Sequence, residues 1–399
     1  MKLKTTLTAL ALFTFCFINA QETTETKFGK GILNVVAKDS SWSMKFATRF
    51  QLLGTAGWDI NDGDYSKSET NFLVRRARLK FDGFAYSPKV KYKIELGLSN
   101  RDISGASEFT NNAPRYILDA VIKWNFYRNF TLWAGQTKLP GNVERVVSSA
   151  NLQLVDRSRL NSRFNIDRDL GVQLRHHFKL SDKFLVREIL AVSQGEGRNI
   201  TTGNLGGHEY TGRIELLPFG KFKSKGDYKG GDLKREQAPK LMLAATYDFN
   251  ADAVKNRSNQ GSYMETSTGF YETNISTIFV DAVFKYKGFS FMGEFADRDA
   301  DDAIAVEEDG TPTGDIVQVG NAINLQAGYL FKNNWEVAGR YTNLNFDAVV
   351  GRALEEQYTL GVSRYIAGHN LKVQSDISYT TQDGDASGLA YRLQFDIHF

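Results

Sequence analysis

From Trp42 to the end of the chain, apolar and polar residues alternate with a period of two. Trp42, Met44, Phe46, Phe50, Leu52, Ala56 and Trp58 share one face, and Lys45, Arg49 and Gln51 share the other. Ala77, Leu79 and Phe81 oppose Arg76, Arg78, Lys80 and Asp82. Val90, Tyr92, Ile94, Leu96 and Leu98 oppose Lys89, Lys91, Lys93 and Glu95, and Leu118, Ala120, Ile122, Trp124 and Phe126 oppose Asp119, Lys123 and Asn125. The pattern predicts sixteen strands, at about 42–58, 70–85, 88–100, 115–126, 129–138, 169–179, 183–194, 208–218, 239–250, 274–287, 288–297, 320–332, 334–346, 356–367, 369–382 and 388–399.

The connections carry a second pattern. After the first strand they run long, short, long, short: long near 59–69, 99–114, 139–168, 195–207, 251–273 and 298–319, short at 86–88, 127–128, 180–182, 287–288, 333–334 and 368. Transmembrane barrels sort their connections this way, with short turns on the periplasmic side and long loops outside. The connection 219–238 departs, being long and basic where a short turn is due. The last strand ends sharply, with Leu389, Tyr391, Leu393, Phe395, Ile397 and Phe399 alternating against Arg392, Gln394, Asp396 and His398. This looks like the terminal strand that barrel-assembly machinery reads. An open apolar edge of this length would invite aggregation in water, whereas a closed barrel has no edge.

These features predict an all-β fold: a transmembrane antiparallel β-barrel of about sixteen strands, apolar outside against lipid and charged inside. A barrel that wide is not filled by its own strand side chains and leaves an aqueous channel. Trp42, Trp58, Tyr92, Tyr127, Trp335, Tyr358 and Tyr379, near strand ends, suit the two membrane interfaces.

The first residues fix the compartment. Lys2 and Lys4, the apolar run Leu7 to Ile18, and Asn19-Ala20 before Gln21 have the layout of a secretory signal peptide. The expected division is therefore a signal at 1–20, a periplasmic leader at 21–41 and an outer-membrane barrel at 42–399. Cys16, the one cysteine, falls in the signal, so the mature chain has no disulfide and no thiolate ligand. Without Lys2 and Lys4, 47 of the 49 basic side chains remain against 46 acidic ones, a charge of +1, which does not point to nucleic acid.

The alternation aims Arg49, Arg76, Arg78, Lys80, Lys91, Lys93 and Lys123 into the lumen, partly offset by Asp82, Glu95 and Asp119. A basic stripe in a narrow passage raises the local anion concentration. The long connection 139–168 is the expected constriction, folded into the lumen, because irregular backbone at bilayer depth is tolerated only inside a barrel. It adds Arg145, Arg157, Arg159, Arg163 and Arg168 against Glu144, Asp156 and Asp167.

At these residues the chain resembles the phosphate-selective porin O/P family. The resemblance is carried by LWAGQTKLPGNVERVVSSANLQLVDRSRLNSRFNIDRDLGVQL (Leu132 to Leu174), FLVRRARLKFDGF (Phe72 to Phe84), FVDAVFKYKGFSFMGEF (Phe279 to Phe295) and the terminus YRLQFDIHF. It covers essentially the whole mature chain. It implies a trimeric sixteen-strand barrel whose third loop narrows the pore, with arginines and lysines guiding phosphate in the phosphate-specific members. Arg76 and Arg78 match the family's arginine-rich strand, and Arg145, Arg157 and Arg168 match its third-loop pattern. Many relatives are characterised only as porins, and a fold does not fix a solute.

Other signals carry less. The acids of 297–315 approach EF-hand spacing, but the required glycine is Asp302. The basic 219–238 reads as a solvated loop. His176, His177, His208, His369 and His398 show no metal-ligand spacing, no nucleophile motif occurs, and no cofactor is expected. The expected protein is a passive porin in the outer membrane of a Gram-negative bacterium, anion-favouring, with phosphate as a candidate solute. A barrel plugged by its own loop and an outer-membrane enzyme are the alternatives.

Overall fold

The computed structural model describes residues 27–399, so the expected signal at 1–20 lies outside the described residues. Sixteen long strands follow in order: β1 (Trp42–Asn61), β2 (Glu69–Ala85), β3 (Ser87–Gly97), β4 (Ile117–Tyr127), β5 (Phe130–Lys138), β6 (Arg168–Lys179), β7 (Leu185–Ser193), β8 (Glu209–Leu217), β9 (Lys240–Ala253), β10 (Thr273–Tyr286), β11 (Phe289–Ala300), β12 (Gly320–Leu330), β13 (Trp335–Phe346), β14 (Glu355–Tyr365), β15 (Leu371–Gln382) and β16 (Asp385–His398). Each pairs antiparallel with the next, and β16 returns to β1 from Arg49 opposite His398 to Asp59 opposite Gly388. The sheet is a closed barrel. A short strand, Leu33–Val36, pairs with Phe46 to Ser43 of β1 below the end of β16.

The period-two pattern is visible in exposure. On β14, Tyr358, Leu360 and Val362 are exposed while Glu355, Thr359 and Ser363 are buried. In water this would be inverted; in lipid the apolar side chains belong outside. The acidic stretch is divided: Asp297 and Asp299 lie on β11, Asp301 and Asp302 follow it, and Glu307, Glu308, Asp309 and Asp315 belong to a hairpin of Ile304–Val306 and Pro312–Ile316.

Two connections are bonded to polar side chains of the wall. The first is 139–167, which contains two short helices, α1 (Val143–Val146) and α2 (Arg159–Phe164). Wall carboxylates accept its N–H groups: Asp281 from Val143 (3.1 Å), Glu294 from Glu144 (2.7 Å) and Asp376 from Val155 (3.0 Å). Wall cations donate to its carbonyls: Arg213 to Gly141 (2.8 Å), Arg49 to Ser149 (2.8 Å), Lys372 to Leu152 (2.8 Å), Arg340 to Asp156 (2.8 Å) and Arg298 to Phe164 (2.6 Å). Backbone that cannot join a ladder still needs every group paired away from water, and here wall side chains do the pairing. Its apolar residues are also buried: Leu139, Leu160, Phe164 and Ile166 pack with Phe279, Ala296, Ala322 and Leu344 of the wall.

The second is 218–239, and the expectation of a solvated loop is corrected. Phe222 packs with Val143, Val147 and Leu152 of the first segment and with Leu185, Leu217, Met242 and Val283 of the wall. Asp227, Asp232 and Glu236 are buried. Asp227 pairs with Arg187 at 2.5 Å, and Gly230 N–H donates to the Asn151 carbonyl at 2.6 Å. The acids turn inward to partners while Lys221, Lys223, Lys225 and Lys234 stay exposed. A net basic count along the chain could not reveal that division.

Gly230 sits where a Cβ would lie 2.5 Å from Gln153 N and 2.8 Å from Gln153 Cβ. Gly230→Ala is therefore expected to force the two segments apart and cost about 1–3 kcal/mol, read as a lower melting midpoint of the β-sheet circular-dichroism signal. Gly269→Ala, with open space around it, should leave the midpoint unchanged.

Candidate functional site: a cationic channel along one half of the barrel

The two tied segments leave one large cavity, of about 1140 Å³, bounded by β2 to β7 on one side and by 138–168 and 221–229 on the other. Nineteen Lys and Arg side chains line it against seven Asp and Glu, a net of +12. The whole chain carries only +3. Acids and bases are therefore sorted in space. Inward-facing carboxylates concentrate on β8 to β15, including Glu209, Glu215, Asp248, Asp281, Glu294, Glu336 and Asp376, all buried.

Eight of the twelve residues expected to face the channel line this cavity: Arg76, Arg78, Lys93, Lys123, Arg145, Arg157, Arg159 and Arg168. They differ in how far their charge is already met. Arg78 bonds Glu95 at 3.0 Å and Asp102 at 3.2 Å, Lys93 bonds Asp119 at 2.7 Å, and Arg168 bonds Asp119 at 3.2 Å. Arg145 pairs with Asp167, and Arg159 with Glu355. Arg76 donates to Gln51 at 2.6 Å. Arg157 bonds only backbone, the carbonyls of Glu144 (2.9 Å) and Val147 (2.7 Å). The Lys123 ammonium lies 3.7 Å from the centre of the Trp133 ring.

The other four stand elsewhere. Arg49 is buried and consumed by Asp396 at 2.9 Å and by Ser149. Lys80 pairs with Asp82 at 2.8 Å. Lys91 is exposed beside Lys123 of β4, toward the short-turn end. Arg163 lies on α2, and its carbonyl accepts from Arg298 at 3.2 Å.

Several cavity cations escaped the sequence reading. Arg75 is one: Gln51 pairs with Arg76 and Leu52 with Val74, so Arg75 is the unpaired residue of a β-bulge and joins Arg76 at the cavity. Its bond to Asp156 is 2.7 Å. The signal was available in the doubled arginine, which breaks the alternation. Lys138, Arg175, Arg187, Arg198, Arg257 and Arg392 also line the cavity. They are scattered over strands and loops too far apart in sequence to read as one stripe. Asp156, from the first segment, faces this group. Burial alone would raise its pKa, but Arg75, then Arg76 and Arg392, outweigh burial and hold it below the ordinary carboxylate range.

A closed sixteen-strand barrel, apolar outside and with a cavity lined by charged side chains, defines an outer-membrane porin. The chain belongs to the phosphate-selective porin O and P family, whose model matches residues 50–397. No curated protein matches it in sequence. Among solved structures it is similar in fold to a loop-deletion form of the outer-membrane protein OmpT of Vibrio cholerae (TM-score 0.53, 11% identity, 90% of this chain and 100% of that one). It is likewise similar to an anion-selective porin from Comamonas acidovorans (0.53, 12%, 89% and 100%) and to the outer-membrane channel DcaP of Acinetobacter baumannii (0.52, 15%, 89% and 97%). The protein resides in the outer membrane of a Gram-negative bacterium.

Two arginines contrast a cation that lines the cavity with one spent on structure. Arg157→Gln is expected to lower the anion-to-cation permeability ratio several-fold with little change in melting. Arg49→Gln leaves Asp396 buried and unpaired, so it should cost about 3–5 kcal/mol of stability. Reversal potentials and thermal melts of the two variants, measured side by side, check this division.

Proposed function

We propose that the protein is a passive, anion-favouring diffusion porin in which the third outer loop, 139–167, lies in the lumen and narrows it. The observation that carries the anion preference is the +12 lining of the cavity. Low-dielectric walls concentrate that field, drawing in anions and repelling cations. The loop's position is supported by the bonds of its backbone to Arg49, Arg213, Asp281, Glu294 and Asp376, which project from the inner faces of widely separated strands.

Conduction needs binding strong enough to admit an ion and weak enough to release it. Fully unmet arginines would hold a phosphate too long. Here Glu95, Asp102, Asp119 and Asp156 already occupy part of the coordination of Arg75, Arg78, Lys93 and Arg168. A permeant anion exchanges with these carboxylates instead of entering a bare cationic well. Among the loop guanidiniums that line the cavity, Arg157 is bonded only to carbonyls, and it is the best candidate for direct contact with the solute. Arginine's planar fork suits phosphate and carboxylate oxygens. Phosphate as the favoured solute fits the family. A trimeric assembly is likewise expected from the family, and one of the OmpT structures from Vibrio cholerae is described as a trimer form.

The test is conductance in planar bilayers under a chloride gradient, with phosphate titrated in. Open channels with a reversal potential of anion-selective sign are expected, and the preference should shrink as ionic strength rises and shortens the Debye length below about 10 Å. Block by millimolar or lower phosphate would support the phosphate reading. Cation selectivity would refute the anion preference, and absence of any channel would favour a barrel plugged by 139–167 and 218–239.

A further inference from the structure

We propose that the short-turn end of the barrel carries a cationic collar that binds acidic phospholipid headgroups of the inner leaflet. Five successive connections at that end, joining β4–β5, β6–β7, β8–β9, β10–β11 and β12–β13, each present an exposed basic side chain: Arg128, Lys183, Lys234, Lys287 and Lys332. None of the five lies within ion-pair distance of a carboxylate among the described residues. Asp182 is the one exposed acid in the short-turn connections, because Asp227, Asp232 and Glu236 are buried. The opposite end has the reverse character, with Asp62, Asp64, Asp301, Asp309 and Asp383 exposed in its loops.

Each of these connections also carries or adjoins an exposed apolar side chain. Tyr127 adjoins Arg128, Leu180 precedes Lys183, Phe219 begins the segment of Lys234, Phe289 follows Lys287, and Phe331 precedes Lys332. The Arg128 guanidinium lies 5.2 Å from the Tyr127 ring centre, and the Lys287 ammonium lies 5.0 Å from that of Tyr286. Aromatic side chains settle at the hydrocarbon–headgroup boundary. A cation one step beyond reaches the headgroup oxygens.

Backbone geometry adds weight. Arg128 and Lys287 occupy tight turns with φ of +43° and +48°, where glycine or asparagine would be less strained. A charged side chain at such a corner is held at a conformational cost.

The arrangement distinguishes lipid from a protein partner. A docked protein covers one patch, whereas these cations follow the perimeter over ten consecutive strands. What surrounds a barrel along its perimeter is lipid. Acidic headgroups gain from each nearby Lys or Arg, by roughly five-fold in affinity per charge. Lys221, Lys225 and Lys229 line the channel instead and are not part of the collar.

The test uses the full-length protein folded into vesicles of phosphatidylcholine mixed with phosphatidylglycerol, extracted gently and weighed by native mass spectrometry. Wild type is expected to retain phosphatidylglycerol above its bulk fraction. The variant Arg128→Gln/Lys183→Gln/Lys287→Gln/Lys332→Gln should lose that enrichment while keeping wild-type single-channel conductance. Raising salt to about 1 M, where the Debye length is about 3 Å, should abolish the wild-type enrichment without any mutation, which keeps the idea testable if the variant folds poorly. Equal enrichment in both proteins, enrichment indifferent to salt, or no enrichment in wild type would each overturn the proposal.

Discussion

At bilayer depth no backbone N–H or C=O can be left to solvent, and this constraint shapes everything inside the barrel. The strands satisfy it by closing on themselves. The long connection 139–167 has no ladder to join, so its polar groups are met by wall side chains: Asp281, Glu294 and Asp376 accept hydrogen bonds from amide N–H groups, and Arg49, Arg213, Arg298, Arg340 and Lys372 donate hydrogen bonds to carbonyls. Most of those residues lie on β10 to β15. The carboxylates of that half are thereby spent on structure.

The channel's charge follows from the same anchoring. A chain with nearly balanced acids and bases has no global excess from which to build an anion path. It obtains one by burying carboxylates beneath the tied segments and leaving cations along β2 to β7 and on the channel side of 139–167. The segment 218–239 acts alike on a smaller scale, burying Asp227, Asp232 and Glu236 while Lys221 and Lys225 stay exposed on the cavity. Charge separation and backbone satisfaction are therefore one arrangement seen twice.

The sixteen strands were legible in the sequence because period two is imposed by geometry: one residue faces lipid and the next the interior. Arg76, Arg78, Lys93 and Lys123 line the cavity for the same reason, whereas Arg145, Arg157, Arg159 and Arg168 fall in the long connection expected at 139–168, where composition and not period two points to them. What escaped depends on contacts between distant positions. Arg75 needed a bulge to turn inward. The burial of 218–239 needed Asn151 and Val143 to be opposite Gly230 and Phe222. Arg49 matched the inward pattern perfectly, yet its charge is spent on Asp396, 347 residues away. Alternation tells which face a side chain takes and is silent on what meets it there.

On the reading proposed above, wall carboxylates hold the third loop so that its arginines face the open half of the lumen. The measurement that tests it most directly is the single-channel current of Asp281→Asn/Glu294→Gln/Asp376→Asn, recorded in the same chloride gradient as wild type. Anchoring by these carboxylates predicts a noisier channel of altered conductance and weakened anion preference, in a barrel whose β-sheet signal is intact. Wild-type conductance, noise and selectivity in that variant would contradict it.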